Sequence, residues 1–223
     1  MPPAALLLAL VPTIVLAAPA DAQQLACRDL DPVEPELAVT LDPGEVAYDY
    51  GRSREEIGAM AAAGGGTIPG GVPLGLTAAE ELLQIRVTSR RLEREAAWCQ
   101  APAEVVIEVG YSRLEIFVDE RYPEGSCQRR VIEEHENEHV RINQESLSDW
   151  RGPIETAARG VVAGWGWATD EAGPEALAER FQQELAAALD AALAGPRAER
   201  DRRHATIDTP EAYAELTARC PSW

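Results

Sequence analysis

Two of the chain's three histidines stand four residues apart in the stretch Glu133-Glu134-His135-Glu136-Asn137-Glu138-His139. On a helix that spacing puts both imidazoles on one face, one turn apart, where their ring nitrogens can grip a single Zn²⁺ at about 2.0–2.1 Å. Glu136, next to the first histidine, flanks the pair. From there a carboxylate can take a proton from a metal-activated water and pass it to a leaving amine, which is the chemistry of metal-assisted hydrolysis. The plain rival is an acidic helix face carrying two partly buried histidines bonded to their acidic neighbours. The spacing, the apolar residues on the same face and the strand-rich region just before it favour the metal.

The pattern His-Glu-x-x-His, on a helix that follows a strand pair, resembles the zincin metallopeptidases. It is similar in particular to small secreted bacterial proteins of unknown or predicted peptidase function. The resemblance covers roughly residues 97–150. It implies His135 and His139 as zinc ligands, Glu136 as general base, Zn²⁺ as cofactor and a peptide or protein as substrate. It also implies an edge strand, drawn here from a hairpin at 104–118, that holds the substrate by strand addition.

The chain departs from the family in two places. Glu133, Glu134 and Glu138 crowd a motif that usually carries uncharged residues there. Such carboxylates either strengthen metal binding from an outer layer or belong to a site that has lost its activity. The second departure is the third ligand. In one branch of the family a glycine turns the chain, so that a residue ten after the first histidine reaches the metal. That residue is Glu145, but Ile142 holds the turn position, so the helix runs on and Glu145 lies about 120° around from His139. In the other branch a Glu on a following helix completes the site. Glu184, on a stripe with Leu177, Phe181 and Ala188, is the candidate. His204, the remaining histidine, lies in Arg202-Arg203-His204-Ala205-Thr206-Ile207-Asp208 and is the other candidate, either as third ligand or as a donor to the oxyanion of a tetrahedral intermediate. The sequence leaves both open.

The elements that must position these residues can be read from periodicity and turn signals. Leu37, Val39 and Leu41 alternate, Asp42-Pro43-Gly44 signals a turn, and alternation resumes from Val46 to Tyr50. Residues 61–76 form a Gly/Pro-rich loop that lacks the Gly-Lys-Ser/Thr ending of a phosphate-binding loop. A strand is expected near 82–90. Residues 104–109 and 114–118 read as a hairpin turning at Gly110-Tyr111-Ser112. Ser126 can cap a helix that carries the motif and runs to about Trp150, where Arg151-Gly152-Pro153 stops it; a shorter helix follows to about Ala163. Trp165 and Trp167 read as packing anchors. Pro174 opens a long helix that Gly195-Pro196 stops or kinks, and Pro210 opens a last one. Strands first and helices after predict an α+β fold, a small antiparallel sheet packed on the motif helix and further helices.

The first 22 residues read as a secretory signal peptide: an apolar run from Ala4 to Ala18, then small residues around a cleavage site near Ala22. The run is short for a membrane span. The mature chain, residues 23–223, is then a single periplasmic or secreted domain with no membrane association. The net charge of −18 argues against nucleic acid and against anionic lipid as partners. All 20 basic residues are arginine. The four cysteines contain no CxxC pair, and export makes two disulfides the natural reading, with three possible connectivities. The pairing expected is Cys99–Cys127 with Cys27–Cys220. The function expected is a zinc-dependent hydrolase, a peptidase by resemblance. The alternatives are an exported protein that binds a metal or partner on the same scaffold without catalysis, and a disulfide-stapled structural domain without metal.

Overall fold

The computed structural model describes residues 27–64, 73–94 and 97–223. The signal-peptide stretch and the middle of the Gly/Pro-rich loop, 65–72, lie outside the described residues. The order of elements is β1 (Glu36–Asp42), β2 (Val46–Arg52), α1 (Arg54–Ala63), β3 (Gly75–Arg94), β4 (Ala97–Asp119), α2 (Cys127–Gly164), α3 (Pro174–Ile207) and α4 (Pro210–Ala218). Apart from α1, which lies between β2 and β3, the strands precede the helices, as the sequence predicts.

The sheet is mixed, which corrects the antiparallel expectation. β3 pairs antiparallel with β4, from Arg94↔Ala97 to Gly75↔Val118. β1 and β2 both run parallel to β4 along its other side. One register carries through from Asp42↔Gly110 to Val46↔Leu114, so β1 and β2 are a single lane interrupted at 43–45. Alternation reports which face of a strand is buried, not which way its neighbour runs. The direction follows from the connection, and α1 with β3 supplies the long crossover that parallel pairing requires.

The hairpin expected at 104–118 is instead one continuous strand. Val105, Ile107, Val109 and Tyr111 are buried, and then Leu114, Ile116 and Val118. The phase slips by one residue because β4 bulges: Glu80 pairs with Arg113 and Glu81 with Tyr111, leaving Ser112 extra. In sequence such a slip looks like a turn. Gly110 serves a close approach between strands, since a Cβ built there would lie 1.8 Å from the Asp42 carbonyl oxygen. The Asp42-Pro43-Gly44 signal also has a physical role. Gly44 takes φ +73°, and the chain steps past Tyr111 and resumes in the same direction.

The two long helices, α2 and α3, cover one face of the sheet. The β4 residues from Val105 to Val118 form one core with Ile132, Val140, Leu147, Trp150, Ile154 and Ala158 of α2 and with Phe181, Leu185, Leu189 and Leu193 of α3. Neither proline ends its helix: Pro153 lies inside α2 and Pro196 inside α3. An interior proline costs about 3 kcal/mol. In α2 the buried stripe continues across it through Trp150, Ile154 and Ala158, each 0% exposed, and that burial offsets the cost. Trp165 packs edge-on against Phe181 and Trp167 donates to the Asp31 carbonyl, so both tryptophans are packing anchors.

The disulfides are Cys27–Cys99 and Cys127–Cys220, which corrects the expected pairing. Had 104–118 folded back on itself, Cys99 would approach Cys127. Because β4 runs straight from Ala97 to Asp119, the two cysteines stand at its opposite ends, tens of ångströms apart at about 3.3 Å per residue.

Candidate metal centre

Three side chains converge on one point: His135 and His139 from successive turns of α2, and Asp208 from the residue that closes α3. Asp208 is placed by the start of the next helix. Thr209 caps α4 by accepting from the Ala212 amide, and Pro210 stands at the first turn. α4 is in turn fixed to the start of α2 by Cys127–Cys220 and by packing of Leu216 on Val131. The chain segment carrying Asp208 is therefore held at both ends, by α3 in the core and by the disulfide at the far side.

The donor atoms form a nearly equilateral triangle. Nε2 of His135 and Nε2 of His139 each stand 3.2 Å from Asp208 Oδ1 and 3.3 Å from each other. Ligands held at about 2.0–2.1 Å in a tetrahedral zinc shell are spaced by about 3.3–3.4 Å. Two neutral imidazoles and one carboxylate at this spacing are a donor set that Zn²⁺ accepts, with one position left for another group. Both histidine side chains are 12% exposed and that of Asp208 is 34% exposed, so the triangle is reached from the Asp208 side.

The electrostatics follow from enclosure and proximity. Burial raises the Asp208 carboxyl, but His135 and His139, which in their protonated forms donate to it and carry positive charge, outweigh burial and hold the group well below the usual carboxylate range. Burial lowers His139, but the Asp208 bond and the Glu136, Asp208 and Glu138 charges outweigh it, so its value is raised. Glu136 is raised by burial, against the pull of His139, His135 and Thr77. Tyr213 is raised by burial and by the Asp208 and Glu136 charges. Its hydroxyl donates to Asp208 Oδ1 at 3.4 Å, and its ring lies 5.4 Å from that of His135.

Glu136 is 4% exposed and faces the start of β3. The Thr77 hydroxyl reaches both the Glu136 Oε2 and the Glu136 backbone oxygen at 2.9 Å. Gly75 makes that approach possible: a Cβ there would meet Ile132 Cγ2 at 2.5 Å and Glu136 Oε1 at 2.8 Å. This also corrects the expected edge strand. Residues 104–118 lie in β4, flanked on both sides, whereas β3 among the described residues pairs only with β4 and so presents a free edge.

Neither candidate for third ligand is in the triangle. Glu184 is exposed and accepts from Trp165 Nε1 at 2.9 Å. His204 stands behind His139, its Nδ1 2.8 Å from His139 Nδ1 and its Nε2 3.0 Å from Asn143 Oδ1. Burial, helped by the His139 and Arg200 charges, pushes His204 down to about 4. The crowding carboxylates are each matched by an arginine: Glu133 by Arg129, Glu134 by Arg219, Glu138 by Arg141, and Glu145 by Arg141 and Arg203. They are a solvated, charge-paired face and stand outside the triangle.

Asp208, Thr77, Asn143 and Tyr213 are the site residues that periodicity and motif spacing miss. Asp208 carried one usable signal. It lies one helical turn beyond His204 and directly before the Thr-Pro start of the last helix, at a junction between two elements. No protein-family model, curated protein or solved structure matches the chain, so its function is argued from the geometry of this site.

Proposed function

We propose that the chain is an exported zinc-dependent hydrolase acting on peptide bonds, with His135, His139 and Asp208 as metal ligands and Glu136 as general base. The observation that carries this reading is the donor triangle, whose edges of 3.2 and 3.3 Å suit one tetrahedral ion, with the Glu136 carboxylate one residue away from a ligand. Bound Zn²⁺ supplies Lewis acidity to water and to a substrate carbonyl. Glu136 would take the proton of the attacking water and return it to the leaving nitrogen; Thr77 bonds its Oε2 and leaves Oε1 without a bond from that hydroxyl. The free edge of β3, which begins beside Glu136, suits an extended peptide added as a further strand. Two disulfides fit an oxidising compartment, and no helix among the described residues is long and apolar enough to cross a membrane.

A second reading, a non-catalytic metal- or partner-binding protein on the same scaffold, is favoured by the deep burial of Glu136 and by the Thr77 hydroxyl, which stands within hydrogen-bond distance of both its carboxylate and its backbone oxygen. Metal content and turnover of the Glu136→Gln variant separate the two. On the hydrolase reading this variant keeps stoichiometric zinc and loses cleavage of a peptide library, by about 10²–10⁴-fold. Wild type that binds zinc and cleaves nothing supports the second reading. A folded wild type that takes up no zinc defeats both.

A further inference from the structure

Behind the donor triangle runs a chain of polar groups, buried at Tyr111 and Asn143 and half-buried at its ends, whose direction is set at one end by an arginine. Arg200 pairs with Glu81 of β3 and donates from Nη1 to the Tyr111 hydroxyl oxygen at 3.3 Å. A guanidinium only donates, so the Tyr111 oxygen is the acceptor there and its single proton goes onward. It goes to Asn143 Oδ1, 3.3 Å away. That fixes the amide with its oxygen toward His204, whose Nε2 lies 3.0 Å from the same atom. His204 Nε2 must then carry a proton. In a neutral imidazole its other nitrogen, Nδ1, is an acceptor, and it faces His139 Nδ1 at 2.8 Å. In the neutral form of its ring His139 supplies the proton to that contact from Nδ1, which leaves Nε2 bare, and Nε2 is the atom in the triangle.

We propose that Arg200, Tyr111, Asn143 and His204 form a directional relay that holds His139 in the Nδ1–H form, with Nε2 free for the metal, and that His204 is its positioning residue. The inference rests on the metal reading and adds the feature that sets the second ligand's tautomer. A metal-bound imidazole characteristically donates its remote N–H to an oxygen acceptor. Here the acceptor is a second imidazole, itself oriented from β3 and β4 through Arg200 and Tyr111. His204 thus serves the site without touching the ion.

The test is ¹⁵N NMR of the histidine rings in the full chain at high pH, about two units above the ordinary histidine value, with zinc titrations alongside. In wild type the spectra should place one proton on His139 Nδ1 and one on His204 Nε2. His204→Leu removes the acceptor and should weaken zinc binding by about 10–100-fold. His204→Asn returns an amide oxygen near the same place and should recover most of that loss. Tyr111→Phe frees Asn143 to flip and should populate the other His139 tautomer. A wild-type proton on His139 Nε2, or equal zinc affinity in His204→Leu and His204→Asn, overturns the relay. Wild type that binds no zinc overturns the metal reading and this inference with it, whereas zinc bound with the proton on the other nitrogen overturns only the inference.

Discussion

Oδ1 of Asp208 stands 3.2 Å from Nε2 of His139, although 69 residues separate them in the chain. The contact joins the motif helix to the α3–α4 junction and supplies the one charged donor of the triangle. Asp208→Ala should therefore lower zinc affinity by at least about 100-fold, more than loss of an outer hydrogen-bond partner. Glu184→Ala should leave it unchanged. Competition with a chromogenic chelator measures both. Equal affinity in wild type and Asp208→Ala would remove Asp208 from the site.

The disulfides should differ in what they protect. Cys127–Cys220 closes a loop of sequence separation 93 and fixes α4, hence Asp208, to the start of the helix that carries His135 and His139. Cys27–Cys99 ties the chain before β1 to the start of β4. Opening either costs about 2–5 kcal/mol of stability. Cys220→Ser in a Cys127→Ser background should also weaken zinc binding. The Cys27→Ser, Cys99→Ser pair should lower the melting temperature and leave zinc affinity intact. If both pairs weaken zinc equally, the tether has no special link to the site.

The motif itself was legible because its information is local: a four-residue spacing on a helix and an apolar face fix where His135, Glu136 and His139 point. The order of strands and helices was legible for the same reason. What failed was long-range. Ser112 as an extra residue in β4 mimics a turn, because a bulge and a hairpin both break alternation in the same way. That single misreading also misplaced Cys99 relative to Cys127 and gave the wrong edge strand. Asp208 went unseen because its role depends on how α3 lies against α2, and a lone carboxylate at a helix end is usually a cap or solvated. His204 drew attention by residue type and does sit beside the triangle, one layer behind His139.

Two glycines should respond to alanine in opposite senses. At Gly75 the new methyl collides with Ile132 Cγ2 at 2.5 Å and Glu136 Oε1 at 2.8 Å. Gly75→Ala should destabilise by about 1–3 kcal/mol and, by pushing Glu136 off Thr77, should reduce turnover beyond the loss of folded protein. Gly160 lies exposed inside α2, and nothing stands within 4 Å of a Cβ there. Gly160→Ala should stabilise by about 0.5–1 kcal/mol through helix propensity alone. Urea denaturation of both variants reads the signs directly.

The acid limb of stability should depend on Asp119, at the end of β4. Its side chain is 0% exposed and holds Arg121 by Nε, at 3.1 Å to Oδ1 and 2.9 Å to Oδ2, and by the backbone amide at 3.1 Å. Burial raises the carboxyl, but the Arg121 bonds and charge outweigh it, so the folded-state value lies below 3.8. A depressed carboxylate stabilises fully above its unfolded value, and the contribution fades as pH falls through the folded one. Asp119→Asn should thus melt lower than wild type at neutral pH, by the equivalent of about 1–3 kcal/mol for a lost charged hydrogen bond. The gap should stay constant down to about pH 4 and close below it. Other carboxylates titrate in the same window but are common to both proteins, so the difference between the two melting curves isolates Asp119. A gap that persists unchanged to about pH 2 would mean that the Arg121 contact contributes no net ionic stabilisation.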